Sequence, residues 1–332
     1  MDFLTDFASP PRRHNPDGDP RRVGVEIEFA AVSAREGADV IRSTFGGTVR
    51  EEDPHRFHVE ETDLGDFVCE LDMQYAHDEE GRAVRPQSDA DEWLSGFRQG
   101  FFRVLGDVSA LVVPCEVVCP PIDHARLPEL EALVSNLIRA GATGTRSNPL
   151  YAFGMQLNAE IAEPSADYIA SVLKAYLMLS PWLRQVMAID MTRRLFAYAN
   201  PFPDPYARRL LDPDYWPDLD QLIGDYLKHN PTRNRELDML PLFSHLRADT
   251  VRAAVDDPRV KARPAFHYRL PDANIGERDW GLSLEWNRWL AVERVADDRD
   301  LLDRMCRRAV ARQAPILGGN WAMECSQFLV LS

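Results

Sequence analysis

The sequence has no apolar run that approaches the ~20 residues needed by a membrane-spanning helix. Its first 22 residues are rich in Pro, Arg and Asp and lack the apolar core of a secretion signal. The five cysteines include no CxxC pair, and an odd number of separated thiols is typical of reduced, buried cysteines. These absences predict a soluble cytoplasmic protein that does not bind a membrane.

Positive charge is also scarce. The chain has 38 basic and 53 acidic residues, which gives a formal net charge of −15. A nucleic-acid partner is therefore not expected, because phosphate binding depends on a basic surface that releases counterions. Only three of the basic residues are lysines, so almost all are arginines. This bias fits a GC-rich coding sequence or guanidinium groups that bind carboxylates and phosphates.

Several common catalytic motifs are absent. The sequence contains no GxxxxGK[ST], GxGxxG, HExxH or GxSxG pattern. The P-loop, Rossmann, zincin and common serine-hydrolase interpretations therefore lose support. What remains is a chain of 332 residues with 45% hydrophobic content, which is enough to bury a large core.

Strand-like and helical periodicities interleave without a regular βαβ rhythm or an internal repeat. Two-residue alternation predicts strands at 23–32, 57–61, 67–75, 109–122, 151–161 and 265–271. Helical spacing predicts helices at 89–105, 128–142, 165–191, 215–228 and 289–313. The expected class is α+β with a mainly antiparallel sheet. We expect a flexible leader over 1–21 and a single domain over 22–332.

Four glutamates stand in otherwise apolar strand segments. Glu26 and Glu28 lie at i and i+2 of the first strand, where side chains project from one face about 7 Å apart. Glu70 in CELD and Glu116 in CEVV would each be costly to bury without a partner. Together the four suggest a site for a hard divalent cation. The alternatives are exposure to solvent or ion pairs with arginines.

Polar pairs with the same two-residue spacing occur in two later strands. Gln156 and Asn158 follow Gly154, and their amides are suited to binding a cation or orienting a phosphate. The FHYR segment places His267 and Arg269 side by side, where the arginine would stabilise charge on a phosphoryl group. A structural histidine and a salt-bridged arginine are the alternatives.

The segment HNPTRNRELDMLPLF brings Arg233 and Arg235 together ahead of an apolar run. These guanidinium groups are candidates for binding a substrate carboxylate. The alternative is that the polar residues of this segment cap and solvate the start of a helix.

In order along the chain, GVEIEF, an acidic strand, CEVVCPPI with a following helix, GMQLNAEI and HYRLP resemble the amidoligase family of carboxylate-amine ligases. The resemblance runs from about Arg22 to Trp289. It implies a fold similar to glutamine synthetase and glutamate-cysteine ligase, with a curved, mainly antiparallel sheet and helices packed on its outer face. It also implies that the conserved strands of this fold surround a nucleotide and metal ions.

The resemblance further implies an ATP-dependent ligase. ATP would phosphorylate a substrate carboxylate, and an amine would then displace phosphate from the acyl phosphate to form an amide. The expected partners are a small-molecule or peptide carboxylate and an amine, and an oligomer is compatible with the fold. The implied cofactors are ATP and Mg²⁺, with Mn²⁺ as the alternative metal.

The site residues that the resemblance implies fall into three groups. The metal ligands are Glu26, Glu28, Glu70, Glu116 and His267. The contacts to the cofactor come from Gln156, Asn158 and Arg269. Arg269 would also act in catalysis, together with Asp63 of the ETDLG loop, whose carboxylate would accept a proton from the incoming ammonium. An ordinary turn residue is the alternative interpretation of Asp63.

Two positions depart from the family pattern. Gln156 stands where the family usually has histidine, and His267 stands where the glutamate of a terminal E-x-R strand is expected. Magnesium prefers oxygen donors, so this exchange implies an altered metal preference or a scaffold that binds without turnover. The rival functions are therefore a non-catalytic binding protein and a metal-dependent amide hydrolase.

Overall fold

The computed structural model describes residues 6–72, 114–148, 151–189, 199–312 and 320–331. Its strands are β1 (Arg22–Phe29), β2 (Thr48–Asp53), β3 (Arg56–Thr62), β4 (Gly65–Leu71), β5 (Cys115–Val118), β6 (Ile122–Asp123), β7 (Met155–Glu160), β8 (Leu237–Asp238) and β9 (Ala265–Tyr268). They form one sheet in the order β2-β3-β4-β5-β1-β7-β9-β8, with β6 beside β1. Every pair of these strands is antiparallel, which confirms the α+β class with an antiparallel sheet.

Helices follow the strands without a regular rhythm. They are α1 (Ala34–Phe45), α2 (Leu130–Arg139), α3 (Ala166–Met187), α4 (Asp204–Leu210), α5 (Leu219–His229), α6 (Leu240–Leu246), α7 (Ala248–Ala254), α8 (Leu282–Asp297), α9 (Arg299–Ala311) and α10 (Trp321–Leu331). Helix α3 is capped by Ser165, whose hydroxyl accepts a hydrogen bond from the Tyr168 amide, and it ends where Ala188 takes a left-handed conformation. The predicted helix at 89–105 lies outside the described residues.

The prediction of one long helix over 289–313 was wrong. Helix α8 begins earlier, at Leu282, and the chain breaks at Asp298 before α9 begins. Asp298 has an extended backbone, and its carboxylate accepts a hydrogen bond from the Leu301 amide at 2.9 Å. An aspartate in this position satisfies a free amide at a helix start. The apolar periodicity continued across the break because both helices bury leucine and other apolar side chains.

Two-residue alternation gives the sheet one apolar and one polar face. Val25, Leu157, Tyr268 and Leu237 lie in one row across four strands of the apolar face. Helices α3 and α8 cover this row, with Tyr176 of α3 and Trp289 of α8 both contacting the Tyr268 ring. Burying these large rings and aliphatic side chains supplies the main apolar contribution to stability. The opposite face consequently keeps the polar side chains that a binding or catalytic site requires.

The described part of the leader is bound to the helical layer, although its composition predicted flexibility. Arg21 is 2% exposed and makes a two-point ion pair with Glu293 of α8, with nitrogen-oxygen distances of 2.7 and 2.8 Å. The Trp286 indole donates to the Ala8 carbonyl at 2.9 Å. Buried charge pairs of this kind fix a segment in place, because an unpaired charge would be costly there. None of the helices within the described ranges has the length and hydropathy to cross a bilayer.

Candidate functional site

An acidic row crosses three neighbouring strands on the polar face. Glu116 of β5 lies directly opposite Glu28 of β1 on one side and Glu70 of β4 on the other. Directly opposed side chains of an antiparallel pair have Cβ atoms about 5 Å apart. The sheet therefore gathers three carboxylates that are separated by up to 88 residues along the chain.

Further polar side chains lie on the same face, because positions two apart in a strand share a face. Glu26 lies opposite Gln156 of β7. One step further along, Asn158 lies opposite His267 of β9, and His267 lies opposite Asp238 of β8. We call the resulting group of Glu26, Glu28, Glu70, Glu116, Gln156, Asn158, Asp238 and His267 the polar cluster.

Carboxyl groups accumulate at the centre of the cluster. Burial raises the pKa of Glu116 well above its ordinary value, and the charges of Glu26 and Glu28 raise it further. Glu28 is also buried, and its carboxylate accepts a hydrogen bond from the Gly154 amide at 2.7 Å. Adjacent buried carboxylates repel one another unless a proton or a cation lies between them. The centre of the cluster is therefore suited to binding positive charge.

Two arginines neutralise the outer acids. Arg263 donates from Nη1 to Glu26 Oε1 at 3.3 Å and to Asn158 Oδ1 at 2.9 Å. Burial opposes ionisation of Glu26, but His267 and Arg263 lower its pKa overall. At the other end, Arg56 Nε lies 3.3 Å from Glu70 Oε2. The alternative of arginine ion pairs is thus found for two of the four glutamates.

A hydrogen-bonded chain connects the acidic row to the far edge of the sheet. Gln156 Nε2 lies 3.4 Å from Glu116 Oε1, and Gln156 Oε1 lies 2.6 Å from His267 Nε2. His267 Nδ1 lies 3.3 Å from Asp238 Oδ2. Burial lowers the pKa of His267 and Arg269 lowers it further, whereas Asp238 opposes this change. Both imidazole nitrogens therefore already have protein partners.

The donor set suits a divalent cation chemically. Glu28 and Glu116 supply hard oxygen donors, which Mg²⁺ and Mn²⁺ prefer. Within the described ranges, however, no three His, Cys, Asp or Glu side chains converge in the arrangement of a bound metal ion. Two surface cavities lie among α8, α9 and α10, and no predicted site residue lines either of them.

Two arginines meet beside the polar cluster. The buried Arg269 donates from Nη1 to the Arg233 carbonyl at 2.7 Å. Burial lowers the pKa of Arg233, and the positive charge of Arg269 lowers it further. An anionic group bound here would relieve this repulsion and use the planar donors of both side chains. The structure therefore brings these two predicted residues together.

Arg235 and Asp63 are placed differently. Arg235 donates to the carbonyls of Pro201 at 2.6 Å and His229 at 3.4 Å, so it fastens a loop to the end of α5. Asp63 is exposed in the turn between β3 and β4. Because a strand rises about 3.3 Å per residue, Asp63 lies on the order of 20 Å from Glu70 at the far end of β4. The structure does not bring these two residues to the polar cluster.

Sequence reasoning missed three charged residues of this region. Asp72 and Asp238 are buried, and Asp72 raises the pKa of Glu116 in addition to the glutamates. Asp72 stands two residues after Glu70, so the spacing that identified the other pairs was a usable signal for it. Arg263 lies in an irregular segment before β9, where no periodicity indicates which way a side chain points.

Comparison with known proteins gives one match. The model of the family described as "Putative amidoligase enzyme" matches residues 19–291, more than four fifths of the chain. No curated protein and no solved structure matches this chain. The matched range contains every strand of the sheet and the whole polar cluster. By this match, the chain belongs to the amidoligase family.

Proposed function

We propose that the chain is an ATP- and magnesium-dependent carboxylate-amine ligase. Membership of the amidoligase family supports a ligase. The observation that carries the finer proposal is the opposition of Glu28 and Glu116 near the hydrogen-bonded Arg269 and Arg233, whose charges act on Glu26 and Asp238 of the polar cluster. Adjacent acids for a cation and adjacent guanidinium groups for an anion are the two requirements of a site that transfers a phosphoryl group.

The reaction would have two steps. A substrate carboxylate oxygen attacks the γ-phosphorus of ATP, the bond to the β-γ bridging oxygen breaks, and ADP leaves. The amine nitrogen then attacks the acyl carbon, phosphate leaves with the electrons of the carbon-oxygen bond, and the nitrogen loses a proton. Both steps need alignment of the reacting groups and neutralisation of their charge, which the protein supplies by binding.

The acidic row would hold the cation. Glu28 and Glu116 would be its central ligands, and Glu26 and Glu70 would join them after their arginine partners are displaced. A divalent cation bound there would neutralise charge on the ATP phosphates. His267 would act through Gln156, to which it is hydrogen-bonded, rather than through a free ring nitrogen. The direct ligand role predicted for His267 stays a prediction.

The two arginines would bind the anionic end of the reaction. Arg269 would contact the phosphoryl group during transfer, and Arg233 would contact the same group or the substrate carboxylate. The substrate would be a small molecule or a peptide with a carboxylate, and its partner would be an amine. The roles predicted for Arg235 and Asp63 stay predictions, because neither side chain lies in the polar cluster.

Release of ADP tests the proposal. Purified protein is incubated with ATP and Mg²⁺, and amino acids and polyamines are added singly and in pairs. We expect ADP release that requires both a carboxylate and an amine. Glu28→Gln is expected to reduce it by about 10²-fold or more, because a ligand charge is lost. Glu51→Gln, in an exposed position of β2, serves as the matched control and should leave it unchanged.

One observation favours a second candidate, a non-catalytic binding protein on the same scaffold. Glu26 and Glu70 are engaged by arginines, and both nitrogens of His267 are engaged by protein groups. A binding protein would bind a nucleotide analogue in calorimetry and release no ADP with any substrate pair. Metal-dependent cleavage of an amide in the absence of nucleotide would instead indicate a hydrolase.

A further inference from the structure

The segment between α7 and β9 places a positively charged side chain beside the polar cluster. This segment, residues 255–264, is anchored by a hydrogen bond from the Arg263 amide to the Pro241 carbonyl at 3.1 Å. From this anchor, the Arg263 side chain reaches Glu26 and Asn158 with the same nitrogen, Nη1. Its guanidinium therefore contacts two oxygen donors that stand next to the acidic row.

The geometry of this contact differs from that of a fixed ion pair elsewhere in the chain. Arg21 and Glu293 are at most 3% exposed and joined by two hydrogen bonds. Arg263 is 33% exposed and reaches Glu26 through one nitrogen at 3.3 Å. A two-point buried pair is held by its own hydrogen bonds, whereas a partly exposed single contact contributes little to stability. The Arg263 contact is the one suited to exchange.

We propose that Arg263 is a resident counter-cation of the polar cluster, which a divalent metal displaces from Glu26 and Asn158 when it binds. This inference rests on the proposed function, because it assumes the acidic row binds a metal. Withdrawal of the guanidinium would free the amide oxygen of Asn158 and would release Glu26 from its ion pair, leaving Glu26 Oε1 with the hydrogen bond from Asn158 Nδ2 at 2.8 Å. Both the amide oxygen and the carboxylate are donors that Mg²⁺ and Mn²⁺ accept.

Electrostatics gives the direction of the effect. Without a metal, the guanidinium offsets the charge of Glu26, which lies close enough to Glu116 to raise the pKa of that residue. With a metal present, the same guanidinium would be a like charge beside the ion and would occupy its ligands. Arg263 would therefore lower the affinity of the site for the metal. In the absence of a metal, its charge would also reduce the repulsion among the carboxylates and so favour folding.

A purely structural role for Arg263 leads to a different expectation. If the ion pair only stabilises the fold, removal of the guanidinium lowers the free energy of unfolding and leaves metal affinity unchanged or weaker. If Arg263 is displaced by the metal, removal tightens metal binding. The sign of the change in affinity therefore separates the two roles.

Titration calorimetry with Mn²⁺ alone tests the proposal on the full chain. Arg263→Gln is expected to bind Mn²⁺ about three- to tenfold more tightly than the wild type, since one competing contact is removed. Arg263→Lys keeps the charge and should stay within about twofold of the wild type. Arg247→Gln, which removes an exposed arginine paired with Asp220, is the matched control and should not change affinity.

A second pair of variants keeps the outcome tied to Glu26. In a Glu26→Gln background, Arg263→Gln should no longer tighten Mn²⁺ binding, because the ligand that it released is gone. Equal or weaker affinity of Arg263→Gln in the wild-type background overturns the counter-cation role and leaves the proposed metal site standing. Absence of Mn²⁺ binding in the wild type and in every variant overturns the metal site as well. Thermal unfolding monitored by circular dichroism verifies that each variant is folded.

Discussion

Gln156 and His267 are hydrogen-bonded to each other, with Gln156 Oε1 2.6 Å from His267 Nε2. They are also the two positions at which the resemblance leads us to expect other residues, histidine in place of Gln156 and glutamate in place of His267. These two positions are in direct contact. Their outer neighbours, Glu116 and Asp238, complete a continuous buried chain with members on four strands, β5, β7, β9 and β8. We expect the two side chains to act as one coupled pair.

Coupling of this kind predicts non-additive effects on stability. Gln156→Leu and His267→Leu should each lower the free energy of unfolding by about 1–3 kcal/mol, because each leaves buried polar partners unpaired. The double variant should lose less free energy of unfolding than the sum of the two single losses, by about 0.5 kcal/mol or more. Urea unfolding followed by circular dichroism gives all three values. Gln156→Leu combined with Ser180→Ala, in a helix on the apolar side, should be additive within about 0.5 kcal/mol.

The attachment of the leader to α8 predicts a large difference between two similar substitutions. Glu293→Gln leaves the buried Arg21 without its charge partner and should lower the free energy of unfolding by about 3–5 kcal/mol. Glu163→Gln breaks the exposed pair with Arg12 and should cost less than about 1 kcal/mol. Chemical denaturation of both variants is the measurement. Equal costs would mean that the leader is not held by Arg21.

Lys174 predicts a specific dependence of stability on pH. Burial lowers its pKa to about 8, from 10.5 in an exposed lysine. Between these two values the unfolded chain holds a proton that the folded chain has released, so this group makes stability rise with pH across that window. Lys174→Met should remove the rise. The difference between wild type and variant should change by up to about 3 kcal/mol between pH 8 and 10.5.

The same measurement isolates Lys174 from other groups. Buried thiols titrate nearby, since burial raises the pKa of Cys306 and Cys115 to about 11, and their contribution falls as pH rises. The Cys115 term cancels when the variant is subtracted from the wild type. The Cys306 term cancels only if both proteins carry Cys306→Ala, because the charge of Lys174 lowers the pKa of that thiol. A constant difference over the window would show that the Leu210 and Asp212 carbonyls, to which Nζ donates, keep Lys174 charged.

Two-residue spacing was enough to predict which residues share the polar face. Glu26 and Glu28, Gln156 and Asn158, and His267 and Arg269 were each identified as pairs, and the antiparallel register then brought most of their strands together. Sheet alternation is a local property, so one sequence reveals it. The coarse fold class followed from the same signal.

The partners of these side chains were beyond the reach of local patterns. Arg263 and Glu26 are 237 residues apart, and neither segment indicates the other. Asp238 lies in a two-residue strand, too short to show alternation. The break at Asp298 was missed for a different reason, because its capping signal was present but the helical periodicity on both sides outweighed it. Long-range contacts and short elements therefore account for most of what the sequence did not reveal.

Arg233 and Arg235 predict a matched contrast in function. They are two residues apart, and partial burial lowers the pKa of each guanidinium. Arg235 gives its donors to two backbone carbonyls, whereas Arg233 lies against Arg269. Under the proposed function, Arg233→Lys should raise KM for the carboxylate substrate or ATP by about tenfold, since the planar guanidinium is lost. Its free energy of unfolding should change little.

Arg235→Lys should show the reverse. Loss of the two-armed contact to Pro201 and His229 should lower the free energy of unfolding by about 0.5–1.5 kcal/mol, because one ammonium group cannot reproduce the geometry of two guanidinium nitrogens. The folded fraction should keep the wild-type KM, since this guanidinium is engaged by two backbone carbonyls. Steady-state ADP release and urea unfolding, measured on both variants, separate the two effects. If Arg235→Lys raised KM as much as Arg233→Lys, the substrate anion would have to bind between Arg233 and Arg235. The proposed binding of the anion by Arg233 and Arg269 would then be contradicted.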